Sequence, residues 1–361
     1  MSNNSIEFRT LVIPTSIDSS DAEDFRAMVD VRNVIYREIN GNEDETMTAA
    51  ELLPYYQPDP DQIRFAWLIL EDGQTIGRIG VDIPLDEGSR SAFWLVELLS
   101  THWGRGIGTK ALQLVEHTAR EQGRTLLQSW AQHLDPQEGE KADDLLASPT
   151  GFGAIPRDHI ARYYLRNGYE LGQIERKSGL DLTGSLPLVQ RMLEDSRADG
   201  YCLVSWTLPT PAEHMAGYAW MKSRMSTDVP AGAMEFDEET WDAERIARHD
   251  QHWIDGGHTV LVTAVRHDAS GELVAFTELS IGEDKTAPTG QVDTLVLREH
   301  RGHKLGQWIK CANLLAWQEI VPESRRVLTW NAEENRHMLN VNEAMGFKPV
   351  AYIGAWKKEI K

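Results

Sequence analysis

The sequence predicts an α/β fold laid out twice in one chain, on three observations. At 361 residues the chain is too long for one ordinary domain and suits two, each able to bury its own core. Alternating apolar runs and helix-spaced apolar runs succeed one another in the order β-α-α-β-β-β-α-β-α-β, and that order then recurs. Two glycine-bearing turns, Trp103-Gly104-Arg105-Gly106-Ile107-Gly108 and Arg301-Gly302-His303-Lys304-Leu305-Gly306, occupy the same place in the two copies.

In the first copy, Ile6 to Ile13 alternates like a strand and stops at Pro14. Phe25, Met28, Val29, Val31, Ile35 and Tyr36 recur at helical spacing, and a short helix follows around Ala49 to Tyr55. Phe65 to Leu70, the turn Glu71-Asp72-Gly73-Gln74 and Thr75 to Ile83 form a hairpin pattern. The strand Phe93 to Leu99, the first glycine turn, a helix to about Glu121 and the strand Thr125 to Trp130 come next. A stretch rich in Gly, Pro, Asp and Glu, Leu134 to Pro156, reads as an insertion before a helix that ends at Asn167-Gly168. Within it, Gly151-Phe152-Gly153 suggests a lid or a contact between the halves.

The second copy runs through the strand Tyr201 to Leu208, helices Met215 to Met225 and Trp241 to Trp253, and a hairpin from Thr259 to Ile281. Val292 to Leu297 leads into the second glycine turn, followed by a helix to Ile320, the strand Val327 to Trp330, the helix Asn335 to Met345 and Gly346-Phe347. The turns stand 198 residues apart (301 − 103) and the helix-ending glycines 178 apart (346 − 168), a difference that the insertion supplies. The expected division is residues 1–184, a linking helix over 185–199, and residues 200–361.

Composition narrows the function. Hydrophobic and charged contents of 41% and 25% are globular values, and no apolar run approaches the roughly 18 residues that span a bilayer. The start Met1 to Glu7 lacks the basic and apolar regions of a signal peptide, so a cytoplasmic protein without membrane partners is expected. A net charge of −20 disfavours nucleic acid and favours cationic partners through long-range attraction. Cys202 and Cys311 are too few and too separate for a disulfide framework or thiolate metal site, and no metal is expected. His249 and His252 have a His-x-x-His spacing with no further ligand nearby.

A strand, a glycine turn and a helix make a place for phosphate. Glycine lets the backbone adopt positive φ and approach a ligand, while the first amides of the helix are unpaired donors at the positive end of its dipole.

The element order, the turn after the fourth strand and the later helix ending in Gly168-Tyr169 or Gly346-Phe347 resemble the GNAT superfamily of acetyl-CoA-dependent N-acetyltransferases, in its tandem, two-domain type. The resemblance covers nearly the whole chain and implies that each domain is a mixed, mostly antiparallel sheet flanked by helices. It also implies that acetyl-CoA is the co-substrate, its pyrophosphate held by Gly104, Arg105, Gly106, Ile107, Gly108 and Thr109 in the first copy. Arg301, Gly302, His303, Lys304, Leu305, Gly306 and Gln307 would do the same in the second. The pantetheine arm would pair with the backbone of Val96 and Leu98, or Leu295 and Val296, and meet Asn331 and Asn335 in the second copy. Each turn departs from the family pattern Gln/Arg-x-x-Gly-x-Gly/Ala: Trp103 stands at the first position in one, and Lys304 replaces a glycine in the other.

Acetyl transfer to an amine requires a base for the ammonium and an acid for the departing thiolate. The family position for the acid, four residues before the Gly-aromatic pair counted from its aromatic-preceding glycine, carries Tyr164 in the first copy and Asn342 in the second. Glu97 and Asp293, carboxylates within apolar strands, are the candidate bases, and paired structural carboxylates are the alternative. Neither cysteine lies in a motif, so direct attack without an acyl-enzyme is expected. Acid at Glu43-Asp44-Glu45, at Glu235 to Glu239, and at Glu138, Glu140, Asp143 and Asp144 suggests a small cationic acceptor: an aminoglycoside, a basic peptide antibiotic or a polyamine. Solvated acidic helix starts would give the same pattern. An acyl-CoA-binding sensor or scaffold with one or both copies inactive is the alternative function, O- or S-acylation stays open, and a monomer or homodimer is expected.

Overall fold

The computed structural model describes residues 5–133 and 144–361. Glu138, Glu140 and Asp143 lie outside the described residues. The chain forms two compact units. The first comprises residues 1–174, 233–235 and 353–361; the second comprises 175–232 and 236–352.

The first unit opens with β1 (Ile6–Thr10), α1 (Glu23–Asn40) and α2 (Ala49–Tyr56). Phe25, Met28 and Val29 on α1, Leu52, Leu53 and Tyr56 on α2, and Leu68 and Leu70 beneath them share one core, so the helical spacing of the apolar residues is what seats both helices. α1 stops at Gly41, whose left-handed backbone returns its N–H to the Arg37 carbonyl. α2 begins in a capping box between Thr48 and Glu51. β2 (Gln62–Glu71) and β3 (Gln74–Pro84) pair antiparallel around Asp72 and Gly73, both at positive φ (49° and 83°), the conformation a tight hairpin requires.

β3 pairs antiparallel with β4 (Ser91–Leu98). α3 (Ile107–Glu121) then leads to β5 (Leu126–His133), which runs parallel to β4. That parallel ladder joins Ser91, Ala92 and Phe93 to Leu126, Leu127 and Gln128. Among the described residues it goes no further, so the C-terminal halves of β4 and β5 part. The short pair β6 (Leu145–Ala147) and β7 (Ala154–Pro156) flanks Gly151-Phe152-Gly153. α4 (His159–Arg166) precedes β8 (Glu170–Asp181). The strand order of this unit is β1-β2-β3-β4-β5, then residues 353–359 of β14 (Lys348–Glu359), then the start of β8.

The second unit repeats the plan. α5 (Leu182–Asp195) follows β8 and packs Leu182 and Val189 into a core with Trp317 and Phe347. β9 (Tyr201–Thr207), α6 (Ala212–Asp228), α7 (Ala243–Asp255), β10 (Thr259–His267), β11 (Leu273–Ile281) and β12 (Thr289–Val296) come next. α8 (Leu305–Ile320), β13 (Arg326–Ala332) and α9 (Arg336–Met345) lead to β14. β12 and β13 are parallel over Thr289, Gly290 and Gln291 against Val327, Leu328 and Thr329, and like their counterparts they part beyond. No helix among the described residues is long and apolar enough to cross a membrane.

Candidate active site

In the first unit, Ser100–His102 makes one tight helical turn after β4, and Trp103 to Gly106 carry the chain into α3. Gly104 and Gly106 have φ of 73° and 79°, and a Cβ on either would meet nothing within 4 Å, so the left-handed backbone and not the available space calls for glycine. No side chain caps α3. Its first intrahelical bond runs from the Lys110 N–H to the Gly106 carbonyl at 3.2 Å, which leaves the amides of Ile107, Gly108 and Thr109 without an acceptor inside the helix. Those donors and the dipole suit an anion. Gly108 is packed closely: a Cβ there would lie 3.3 Å from the Tyr163 ring, and the Tyr163 hydroxyl donates to the Gly108 carbonyl at 2.9 Å.

Trp103 resolves a departure noted in the sequence. Its Nε1–H donates to the Leu98 carbonyl at 2.9 Å, and in the second unit the Arg301 Nε–H donates to the Val296 carbonyl at 3.2 Å. The two positions correspond (103 + 198 = 301; 98 + 198 = 296), so a tryptophan supplies the same tie between turn and strand end as the arginine. Arg105 is turned onto Glu71, bonded through Nη1 at 3.0 Å and through Nη2, and His102 also meets Glu71, at 3.2 Å.

β4 presents two faces. On one, Glu97 forms an ion pair with the buried Arg78 at 2.6 Å, and Arg78 also donates to the Tyr56 hydroxyl at 3.2 Å. The Glu97 charge, with burial, holds the nearby Tyr36 phenol well above its usual range. Val96 and Leu98 pair with Ile79 and Gly77 of β3, and their β5 side lies where the parallel ladder has ended. The Leu98 carbonyl there is taken by the Trp103 indole, and the Val96 backbone lies beyond the end of the ladder, where a ligand strand can pair with it.

On the other face stands Tyr164 of α4. Its hydroxyl is 2.8 Å from the Ser129 Oγ of β5, and its ring stacks on Trp356 (centroids 4.8 Å, 6° between planes) with Trp94 and Tyr169 at its edges. Burial raises the phenol well above its usual value; the Ser129 bond opposes this and the Glu97 charge adds to it, so the proton stays on. α4 is fixed by Asp158, which caps the Ala161 N–H at 2.8 Å and meets the fully enclosed His133 at 3.0 Å. Burial, the largest single influence, works against the Asp158 charge, but the His133 bond and attraction, the Ala161 N–H and the nearby His159 together hold the carboxyl below its usual value.

The second unit differs at each of these places. Gly302 has φ 91°, but Lys304, at the position of Gly106, holds φ 57° with a side chain attached. Its Nζ donates to the Asp195 carbonyl at 3.4 Å, and Gln307 donates to the Met192 carbonyl at 3.1 Å, so both turn toward the end of α5. Leu305 is buried at the start of α8 and Gly306 lies against Val296. His300 and His303 pack on Tyr201. Asp293 is bonded to Lys222 at 2.7 Å, and Lys222 also meets Glu278 at 2.9 Å. Asn342 is buried and donates to the Asn331 Oδ1 at 2.7 Å, Asn335 caps α9 through the Met338 N–H, and Leu295 is buried in the α6 core.

Ser129, His133, Asp158, His159 and Trp356 were not singled out in the sequence. Asp158 carries a readable signal, a capping residue three before the amide it serves. Trp356 lies 192 residues from Tyr164 (356 − 164), and no local pattern joins them. His249 has both ring nitrogens engaged, by Asp250 and by the Trp253 indole N–H, which leaves the His-x-x-His spacing without a free ligand atom on that residue.

Residues 27–152 match the acetyltransferase (GNAT) family. The chain is similar over 98% of its length to 98% of a tandem GNAT protein from the clavulanic acid biosynthesis pathway, with 24% identity and a TM-score of 0.74. It is similar over 99% of its length to 96% of a GCN5-related N-acetyltransferase from Sphaerobacter thermophilus (14% identity, TM-score 0.61). A third similar structure is that of a protein named a putative acetyltransferase, from Pyrococcus horikoshii, with 100% of this chain and 91% of that one covered (12% identity, TM-score 0.53). No curated protein sequence matches the chain significantly.

Proposed function

The chain carries an acetyltransferase (GNAT) family domain in its first half and has the fold of tandem GNAT proteins, and from that premise we propose that its first unit is an N-acetyltransferase. It moves acetyl from acetyl-CoA to a primary amine of a small acceptor by direct attack. The observation that carries this reading is one unit holding both a turn with two left-handed glycines and a protonated Tyr164 where β4 and β5 part.

In this reading the amides after Gly106 and the turn backbone hold the diphosphate, and the edge of β4 around Val96, beyond the end of the β4–β5 ladder, takes the pantetheine amides. The acceptor nitrogen, once deprotonated, attacks the thioester carbonyl; the C–N bond forms, the C–S bond breaks, and the sulfur takes its proton from the Tyr164 hydroxyl. We assign Glu97, held in place by Arg78, the proton of an amine entering along α1. The nitrogen gives up its second proton as the amide forms; that proton restores the Tyr164 phenol by way of solvent, and Glu97 releases the one it took, so one proton leaves per turnover.

The acceptor is tested first among cations because the chain carries a net charge of −20. The acidic stretches themselves argue less for it: Glu43 is bonded to Arg37, Glu235 to Arg90 and Glu239 to Arg245. Since the similar tandem protein belongs to a small-molecule pathway, the panel spans aminoglycosides, polyamines, basic peptides and neutral amino compounds. Thiol release that depends on acetyl-CoA and on the amine, with acetyl found on nitrogen by mass spectrometry, supports the reading. Release with no amine in the panel refutes it.

For the second unit a binding role without transfer is favoured by one observation: the acid position holds Asn342, already bonded to Asn331. Such a module would raise its melting temperature with acetyl-CoA and release no thiol.

A further inference from the structure

A diphosphate at the first turn would gain from a cation, and the side chains of the turn itself are already engaged. Arg105 and His102 are held by Glu71, and Trp103 is bonded to the Leu98 carbonyl. Amides alone leave much of a diphosphate's charge unpaired, and charge-assisted bonds are about twice as strong as neutral ones. The imidazole of His159 lies against the turn. Its ring stacks on Trp103 with centroids 3.7 Å apart and planes 27° apart. One helical turn on, Tyr163 of the same α4 face bonds to the Gly108 carbonyl. His159 and Tyr163 therefore touch the turn at Trp103 and at Gly108, the latter one of the three residues whose amides lack an acceptor inside the helix.

His159 is exposed, and among the described residues neither ring nitrogen has a hydrogen-bond partner. We propose that His159 is a diphosphate-binding residue of the first unit, its imidazolium adding the charge that the turn lacks. The proposal rests on the reading of this unit as an acetyl-CoA site.

The surroundings set the direction of pH dependence. Partial burial of the ring lowers the His159 pKa from its usual value; Asp158 opposes this, and His133 and Arg162 reinforce it. From the turn side the charges are Arg105 and His102, both on Glu71, and the exposed Lys110 in the first turn of α3. The free protein thus holds His159 neutral at neutral pH, and a bound diphosphate raises it, so binding takes up a proton. Affinity is highest at acid pH and falls as pH rises through the value of the bound state.

The test is calorimetric titration of the full-length protein with 3′-dephospho-CoA, whose diphosphate does not titrate from about pH 5.5 to 8.5, the range in which histidine does. Pantetheine, which lacks the diphosphate, is the control. Wild type is expected to lose about tenfold in affinity for dephospho-CoA across that range. His159→Gln is expected to bind at the weak level throughout, His159→Lys at the tight level throughout, and pantetheine to be indifferent to both. If His159→Gln keeps the wild-type slope while acetyl-CoA still binds and turns over, this inference falls and the proposed function stands. If wild type binds neither acetyl-CoA nor dephospho-CoA at any pH, both fall.

Discussion

Replacing Tyr164 by phenylalanine separates an acid from a packing aromatic, because the two roles predict opposite splits between rate and stability. The ring keeps its stack on Trp356 and its edge contacts with Trp94 and Tyr169, so no cavity opens. What is lost is one hydroxyl and its 2.8 Å bond to Ser129, worth about 1 kcal/mol, and Ser129 can turn its own hydroxyl elsewhere. Urea unfolding should therefore shift by about 1 kcal/mol or less. Removing a general acid costs about a hundredfold or more in kcat, which is roughly 2.7 kcal/mol of barrier, with KM for acetyl-CoA little changed. The assay is steady-state thiol release under saturating acetyl-CoA, with the denaturation midpoint measured on the same preparation. A kcat within about fivefold of wild type would show that the thiolate leaves without the phenol. Asn342→Ala in the second unit should leave kcat untouched, and a comparable loss there would assign the chemistry to the wrong half.

Other perturbations follow from buried charge and backbone. Burial pushes the Lys310 ammonium down to about 7, so the unfolded chain binds a proton that the folded chain lacks between that value and its usual one of about 10.4. Stability should rise with pH across that window; Lys310→Met should remove the rise and add roughly 2–4 kcal/mol near pH 7, and parallel stability curves for the two proteins would contradict it. Lys222→Met strands Glu278 and Asp293 and should cost about 3–5 kcal/mol in chemical denaturation of the second unit; a loss below about 1 kcal/mol would mean the carboxylates find other partners. Gly106→Ala, forced to keep φ near 79°, should lose about 1–2 kcal/mol of stability and weaken acetyl-CoA binding, whereas unchanged affinity by titration calorimetry would detach the turn from the diphosphate.

The sequence made the local parts readable. Helical and alternating periodicities are set by neighbours a few residues away, so α1, the β2–β3 hairpin and the glycine turns stand where the patterns put them. The left-handed backbone at Gly104 and Gly106 was legible because positive φ leaves its mark in residue identity. Pairings across the sheet left no such mark. Glu97 reads as a lone carboxylate until Arg78 is brought opposite it by the β3–β4 register, and Asp293 until α6 lays Lys222 over it. The acidic stretch at Glu235 looked like a wall for a cation, but its partner Arg90 is 145 residues away. Trp103 looked like a defect in the motif because a sequence shows the residue type and not the donor that it aims at Leu98.

One feature of the architecture bears on how the protein is made. The first unit includes residues 353–361, and Trp356 from that segment is the platform beneath Tyr164. Ribosomes add about 5–20 residues per second, so roughly 10–35 s separate the emergence of residue 174 from that of residue 353. During that interval the N-terminal half waits as a sheet with an open edge beside β5, and it cannot be finished first although it is made first. A nascent chain halted anywhere in the second repeat would carry every residue of the first motif and still lack the strand that closes its sheet.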